Sequence, residues 1–215
     1  DVRKKVALFC NISEEAVIES ANAETIYEVP ILMQHEELDQ VVLNKLNLPS
    51  KQEPDIEEWK AFLDRLKNPK REVRIGLIGK YIELKDSYIS IHEALIHAGA
   101  KNDSAVEVEW IHSEQINADN VAERMAGLDG VLVAPGFGER GIEGKITAVE
   151  YARTNKIPFL GICLGMQCAV IEFARNVLGK KGAHTTEIKE HAEDPVIFLM
   201  EEQKAITNMG GTMRL

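Results

Sequence analysis

Gly161-Ile162-Cys163-Leu164-Gly165-Met166-Gln167 follows the apolar run Pro158-Phe159-Leu160 and leads into Ala169, Val170, Phe173 and Val177 at helical spacing. An apolar run of strand length that passes straight into an amphipathic pattern reads as strand, turn, helix. A cysteine at the turn, with glycine two residues before and two after, has the form of a nucleophile elbow with cysteine in the place of serine. Such a turn lifts a side chain out of the sheet on a strained backbone, and the glycines leave the room it needs. The thiol then stands at a helix N-terminus, whose partial positive charge favours thiolate. The N–H of Leu164 is next in line to meet an oxyanion. Cys168 lies further along the same helix and reads as a small core residue.

Upstream of the elbow the same alternation recurs. Val73 to Gly79 reads as a buried strand, and Ile91, Leu95 and Ala98 mark the helix after it. Ala105 to Ile111 alternates as a strand, and Val121, Met125 and Leu128 mark a second helix. Gly130 to Ala134 is a third strand, followed by a helix on Ile142, Ile146 and Val149. Four strand–helix units in sequence predict an α/β domain with a mostly parallel sheet and helices on both faces. Sites in such sheets lie beyond the carboxyl ends of the strands, so the loops after Gly79, Ala134 and Ile162 are the places for chemistry. The loop Ala134-Pro135-Gly136-Phe137-Gly138-Glu139-Arg140-Gly141 follows a strand expected to neighbour the cysteine strand. Gly136 is its natural oxyanion donor, since Pro135 has no N–H to give.

The rest of the chain is less regular. In residues 1–48, Lys5-Val6-Ala7-Leu8-Phe9-Cys10 fits a short buried strand, Ser13-Glu14-Glu15 opens a short helical pattern, and Leu38, Val42 and Leu46 suggest a helix. So few elements bury little surface by themselves, and this stretch is expected to pack against something outside the chain. Residues 49–71 read as a connector punctuated by Pro49, Pro54 and Pro69. Within it Trp59, Phe62, Leu63 and Leu66 form an apolar stripe on a helix with a cap at Asp55. Residues 72–215 carry the α/β pattern.

Composition narrows the classes. The chain has 215 residues, 45% of them apolar, with a formal net charge of −10. That balance disfavours duplex nucleic acid as a partner, and no run approaches the roughly 18–20 apolar residues of a membrane span. Three cysteines, Cys10, Cys163 and Cys168, form no CxxC pair or disulfide framework, so a reduced, cytoplasmic setting is expected. A thiolate hydrolase also needs a base. His191 and Glu193 have the form His-x-Glu, but they sit in a polar stretch that reads as a solvated loop. These residues leave two kinds of reading open: a cysteine-dependent enzyme that uses the elbow, or a binding or assembly module in which Cys163 is structural.

The motifs together resemble a known family. Gly161 to Gln167 with the upstream Phe137-Gly138-Glu139-Arg140-Gly141-Ile142-Glu143-Gly144-Lys145 is similar to the class I, triad-type glutamine amidotransferases. Ile78 to Leu84, His184-Thr185-Thr186-Glu187 and Gly210 to Leu215 extend the resemblance, more narrowly, to the CTP synthase family, collinear from about Arg3 to Leu215. The resemblance implies that Cys163 takes ammonia from glutamine through a thioester, with Gly136 and Leu164 as oxyanion donors. It implies that Gly136, Phe137, Gln167 and Glu187 hold glutamine and that Arg140 and Glu143 lie near an allosteric GTP. Residues 1–48 would be the end of a P-loop-type α/β synthetase domain, with Lys5 and Phe9 on the pyrimidine nucleotide and Ala23 at adenine. Many relatives have Asp where Asn22 stands. The ammonia would aminate ATP-activated UTP to CTP, in a homotetramer assembled through the synthetase domain. The sites for ATP and Mg2+ would precede Asp1, with no metal site in this chain, and the family's catalytic His-x-Glu would follow Leu215. The stretch by itself is therefore expected to be inactive.

Overall fold

Val73, Ile75, Ile78, Val131 and Val133 are β-branched residues in short runs, suited to a sheet buried on both faces. They lie in two of the four parallel strands of a sheet in a computed structural model that describes residues 1–49, 54–198 and 200. The expected motif at Gly210 to Leu215 lies outside the described residues. The strands are β1 (Arg71–Gly79), β2 (Ser104–His112), β3 (Gly130–Val133) and β4 (Phe159–Gly161), in the order β2-β1-β3-β4. Ile75 to Ile78 pair with Gly130 to Val133, and Val131 to Val133 pair with Phe159 to Gly161. The cysteine strand and the glycine-loop strand are thus neighbours, as the sequence predicts. The order reverses between β1 and β3, which makes their carboxyl ends a topological switch point.

Alternation along the strands separates two cores. Leu77 and Leu132 face one way and pack with Tyr88, Ile91 and Leu95, the last two from helix α5 (Ile89–Lys101). Ile78, Val131 and Val133 face the other way. They pack with Ile142, Ile146 and Val149 of α7 (Ile142–Thr154) and with Leu164, Cys168 and Ile171 of α8 (Leu164–Asn176). Helices therefore cover both faces. Arg153 of α7 grips the almost fully buried Glu172 of α8 through Nε at 2.9 Å and Nη2 at 2.7 Å. A two-stranded parallel pair, β5 (Ala183–Thr185) and β6 (Asp194–Ile197), was not anticipated. Its strands are three and four residues long, too short to show periodicity. Between β2 and β3 the expected helix is one turn, α6 (Val121–Arg124). Val121, Met125 and Leu128 are all buried, and a single turn suffices to bring them down onto the core.

The chain divides into two compact units, and the sheet belongs to the second, Lys70–Gly99 with Ser104–Leu215. The first comprises Asp1–Pro69 and Ala100–Asp103. It holds α1 (Val2–Cys10), α2 (Val29–His35), α3 (Leu38–Lys45) and α4 (Glu57–Lys67). The strand expected at Lys5 to Cys10 is the helix α1. Its run of four apolar residues is too short to distinguish the two periods, and the ends decide. Asp1 caps the start by accepting from the Arg3 N–H, and Asn11 closes the end in a left-handed conformation with φ 53°. Only Ala7 of the run is buried; Leu8 and Phe9 stay 79% and 88% exposed. Ser13 precedes a three-residue 3-10 turn, Glu14–Ala16, without a side-chain cap. In α4 the expected cap is one residue early: Asp55 Oδ1 accepts from the Glu57 N–H. Trp59 donates its indole N–H to the Tyr27 carbonyl at 2.8 Å, and Phe62 meets the Tyr27 ring edge-on.

Candidate active site

The three loops named from the sequence emerge at one edge of the sheet. Ala134 N–H bonds the Ile78 carbonyl and Ile162 N–H bonds the Val133 carbonyl. These bonds carry the register one residue past each strand and hold the loops side by side. Cys163 follows at φ 53° and ψ −107°, a conformation that non-glycine residues rarely adopt, and its side chain is exposed. Strain of this kind amounts to about 1–3 kcal/mol and persists only where the surroundings impose it. Here they do. A Cβ on Gly165 would strike the Val133 carbonyl, and one on Gly161 would lie 2.5 Å from the Gly165 backbone. The elbow has no space for side chains at either position.

Cys163 is the N-cap of α8, and its carbonyl accepts the Gln167 N–H at 3.1 Å. Leu164 opens the helix, where first-turn N–H groups have no intrahelical acceptor. Gln167 lies one turn along from Cys163. Its Oε1 is enclosed and, among the described residues, accepts no hydrogen bond. A buried amide oxygen without a donor is costly, and a ligand ammonium or N–H would satisfy it. Cys168 is fully buried, and burial pushes its thiol up to about 11, so it is inert at neutral pH.

The opposing wall is the turn Ala134 to Phe137. A Cβ on Gly136 would sit 3.7 Å from Leu164 Cδ2, so this turn packs against the side chain of the first residue of α8. Two lysines that the sequence reading passed over hold this turn. Lys145 of α7 donates to the Ala134 carbonyl at 2.8 Å, and Lys80, just past β1, donates to the Phe137 carbonyl. Lys145 could have been found. It falls three residues after Ile142 and four before Val149, a charge on the core face of a helix.

The remaining expected residues divide. The Phe137 ring is exposed at the rim. Arg140 pairs with Glu114 at 3.1 Å and Glu143 with Arg175 at 2.8 Å, so both surface charges already have partners. Glu187 is exposed on the turn after β5, fixed by its N–H to Thr185 Oγ1 at 3.3 Å. His191 is exposed in the turn leading to β6, as a solvated loop requires. Lys5 and Phe9 belong to the first unit, one turn apart on α1 and both exposed, and Ala23 is half-buried in a mostly exposed loop. An ammonium and an open aromatic ring at that spacing suit a charged, planar ligand. Among the described residues no cluster of three or more His, Cys, Asp or Glu could hold a metal ion, and no helix is long and apolar enough to cross a membrane.

Comparison with known proteins points to one family over most of the chain. The family described as "Glutamine amidotransferase class-I" matches residues 83–215, and "CTP synthase N-terminus" matches residues 1–48. The curated CTP synthase of Cytophaga hutchinsonii is 63% identical over 215 residues, all of this chain and 40% of that protein. That of Methanocaldococcus jannaschii is 57% identical over 220 residues, covering 41% of its length. The chain thus spans about two fifths of the curated relatives it matches. A solved structure titled "Trypanosoma brucei CTPS - glutaminase domain with bound acivicin" is 36% identical with a TM-score of 0.58, over 61% of this chain and 51% of that one.

Proposed function

The chain belongs to the class I glutamine amidotransferase family, and from that premise we propose that it is the part of a glutamine-dependent CTP synthase in which Cys163 releases ammonia from glutamine. The observation that carries the reading is Cys163, held at φ 53° on the N-terminus of α8, with Gly136 packed on the side chain of the adjoining Leu164. The thiolate attacks the side-chain amide carbon of glutamine. Negative charge gathers on the amide oxygen, where the N–H groups of Leu164 and Gly136 stabilise it. The C–N bond breaks, the nitrogen takes a proton and leaves as ammonia, and a glutamyl thioester remains on Cys163. Water adds to the thioester, and the C–S bond breaks to give glutamate and the free thiol. Gln167 and Glu187 hold the amino-acid end, with the carboxylate suited to the substrate ammonium. Phe137 covers the site. His191 is not given the role of base.

The ammonia then aminates UTP activated by ATP and Mg2+, in a cytoplasmic homotetramer. Lys5, Phe9 and Ala23 contribute to nucleotide binding, and the surface around Arg140 and Glu143 receives an activating GTP. The matches to CTP synthases along the whole chain support this wider reading. The test is chemical. A glutamine-like chloroketone is expected to label Cys163 in the whole protein, and Cys163→Ala is expected to lower glutamine hydrolysis by at least about a thousandfold while leaving the fold intact. Labelling elsewhere, or turnover retained in the alanine variant, defeats the proposal.

A further inference from the structure

Lys145 is fully buried, and its ammonium is held by a carbonyl instead of a carboxylate. Burial, first of all, holds its pKa below the usual lysine value; the nearby Cys168 thiol opposes that, Lys80 adds to it and Cys163 opposes it. The neighbours on its face of α7, Ile142, Ile146 and Val149, are core residues. A methionine would fill the same space without the desolvation cost of a charge. The ammonium is therefore expensive where it stands, and packing does not require it.

Its position says what it does. The Ala134 carbonyl that it holds opens the turn whose Gly136 is the proposed oxyanion donor. A Cβ on Gly136 would lie 3.7 Å from Lys145 Nζ, as near as it would lie to Leu164 Cδ2. Lys80 holds the other end of the turn at the Phe137 carbonyl, and its Cε would be 3.6 Å from that Cβ. We propose that Lys145 is a positioning residue for glutamine hydrolysis: it holds the Ala134 carbonyl in the core, away from the developing oxyanion, and so fixes the turn that presents the Gly136 N–H. This rests on the reading of Cys163 as the nucleophile. A carbonyl released from the ammonium would be free to turn its lone pairs toward the oxyanion, and the turn would present its donor in more than one orientation. Both effects act on the transition state, where charge gathers, and leave the binding of glutamine's amino-acid end alone.

The experiment measures glutamine hydrolysis by the whole protein and by its Lys145→Met variant. The expected result is a fall in kcat of about tenfold or more with KM within about threefold, beside unchanged labelling of Cys163 by a glutamine-like chloroketone. A kcat within about twofold of the parent, or a loss confined to KM, overturns the proposal. A second measurement needs no variant. In the unmutated protein with 13C-labelled lysine, capture of Cys163 by the chloroketone is expected to move the Lys145 Cε resonance. A resonance that stays in place overturns the proposal even if the methionine variant does not fold. An unmutated protein that neither hydrolyses glutamine nor takes the label at Cys163 defeats the nucleophile reading itself, a result distinct from normal turnover with an indifferent Lys145.

Discussion

Two cysteines five residues apart, one capping α8 and one inside it, show how position separates one thiol from another. Cys163 is exposed at the helix start, and Cys168 is sealed beneath it with its thiol pushed up to about 11 by burial. At neutral pH iodoacetamide is expected to modify the exposed Cys163 and Cys10 and to leave Cys168 untouched until the protein unfolds, as peptide mass spectrometry would show. The folded chain holds the Cys168 proton more tightly than the unfolded chain does. Its contribution to stability is therefore intact below the ordinary thiol value of 9.0 and is lost as pH rises toward about 11. Denaturant unfolding across that range is expected to show a steeper alkaline fall in the parent than in Cys168→Ala. The positions of Cys163 at the elbow and Cys168 in the core were legible in the sequence because the turn between strand and helix carries its own signature. Lys145 shows in the sequence only as a charge within an apolar stripe; the fold alone shows the carbonyl it meets.

At the scale of elements, α7 and α8 are joined by chemistry as well as by packing. Glu172 is 1% exposed, and Arg153 supplies the paired N–H donors that compensate its charge. Asn176 adds one more donor at 3.2 Å. Arg153→Ala is expected to destabilise the protein by about 2 kcal/mol in urea unfolding, less than for a fully buried pair because Arg153 is partly in solvent. Glu172→Gln in the same background is expected to recover part of that loss by removing the stranded charge. Long elements were readable: β1, β2, α5, α7 and α8 follow the apolar spacing along nine to thirteen residues. Short ones were not. Helix α1 looked like a strand because four apolar residues suit either period, and its capping groups, Asp1 and Asn11, lie outside that run. The β5–β6 pair had no pattern to read, since strands this short are defined by their partners.

At the scale of the molecule, His191 lies exposed in the turn before β6 and is not given the role of base. Glutamine hydrolysis by the whole protein is therefore expected to stay within about twofold of the parent in His191→Ala, as a coupled glutamate assay would show; turnover that vanished would give His191 that role. What the sequence determined by itself was local and repetitive. Strand–helix alternation dictated an α/β fold, and the glycines around Cys163 dictated the elbow, because both follow from backbone sterics and apolar periodicity within a short window. What only the tertiary structure decided was non-local. The order β2-β1-β3-β4 brings the loops after Gly79, Ala134 and Ile162 to one edge, and Gly136 packs there against the Leu164 side chain. Burial then turned Lys145 from an exception in a helical pattern into the support of the oxyanion turn. A charge in a core has meaning only through the groups that meet it, and those groups come from residues far apart in the chain.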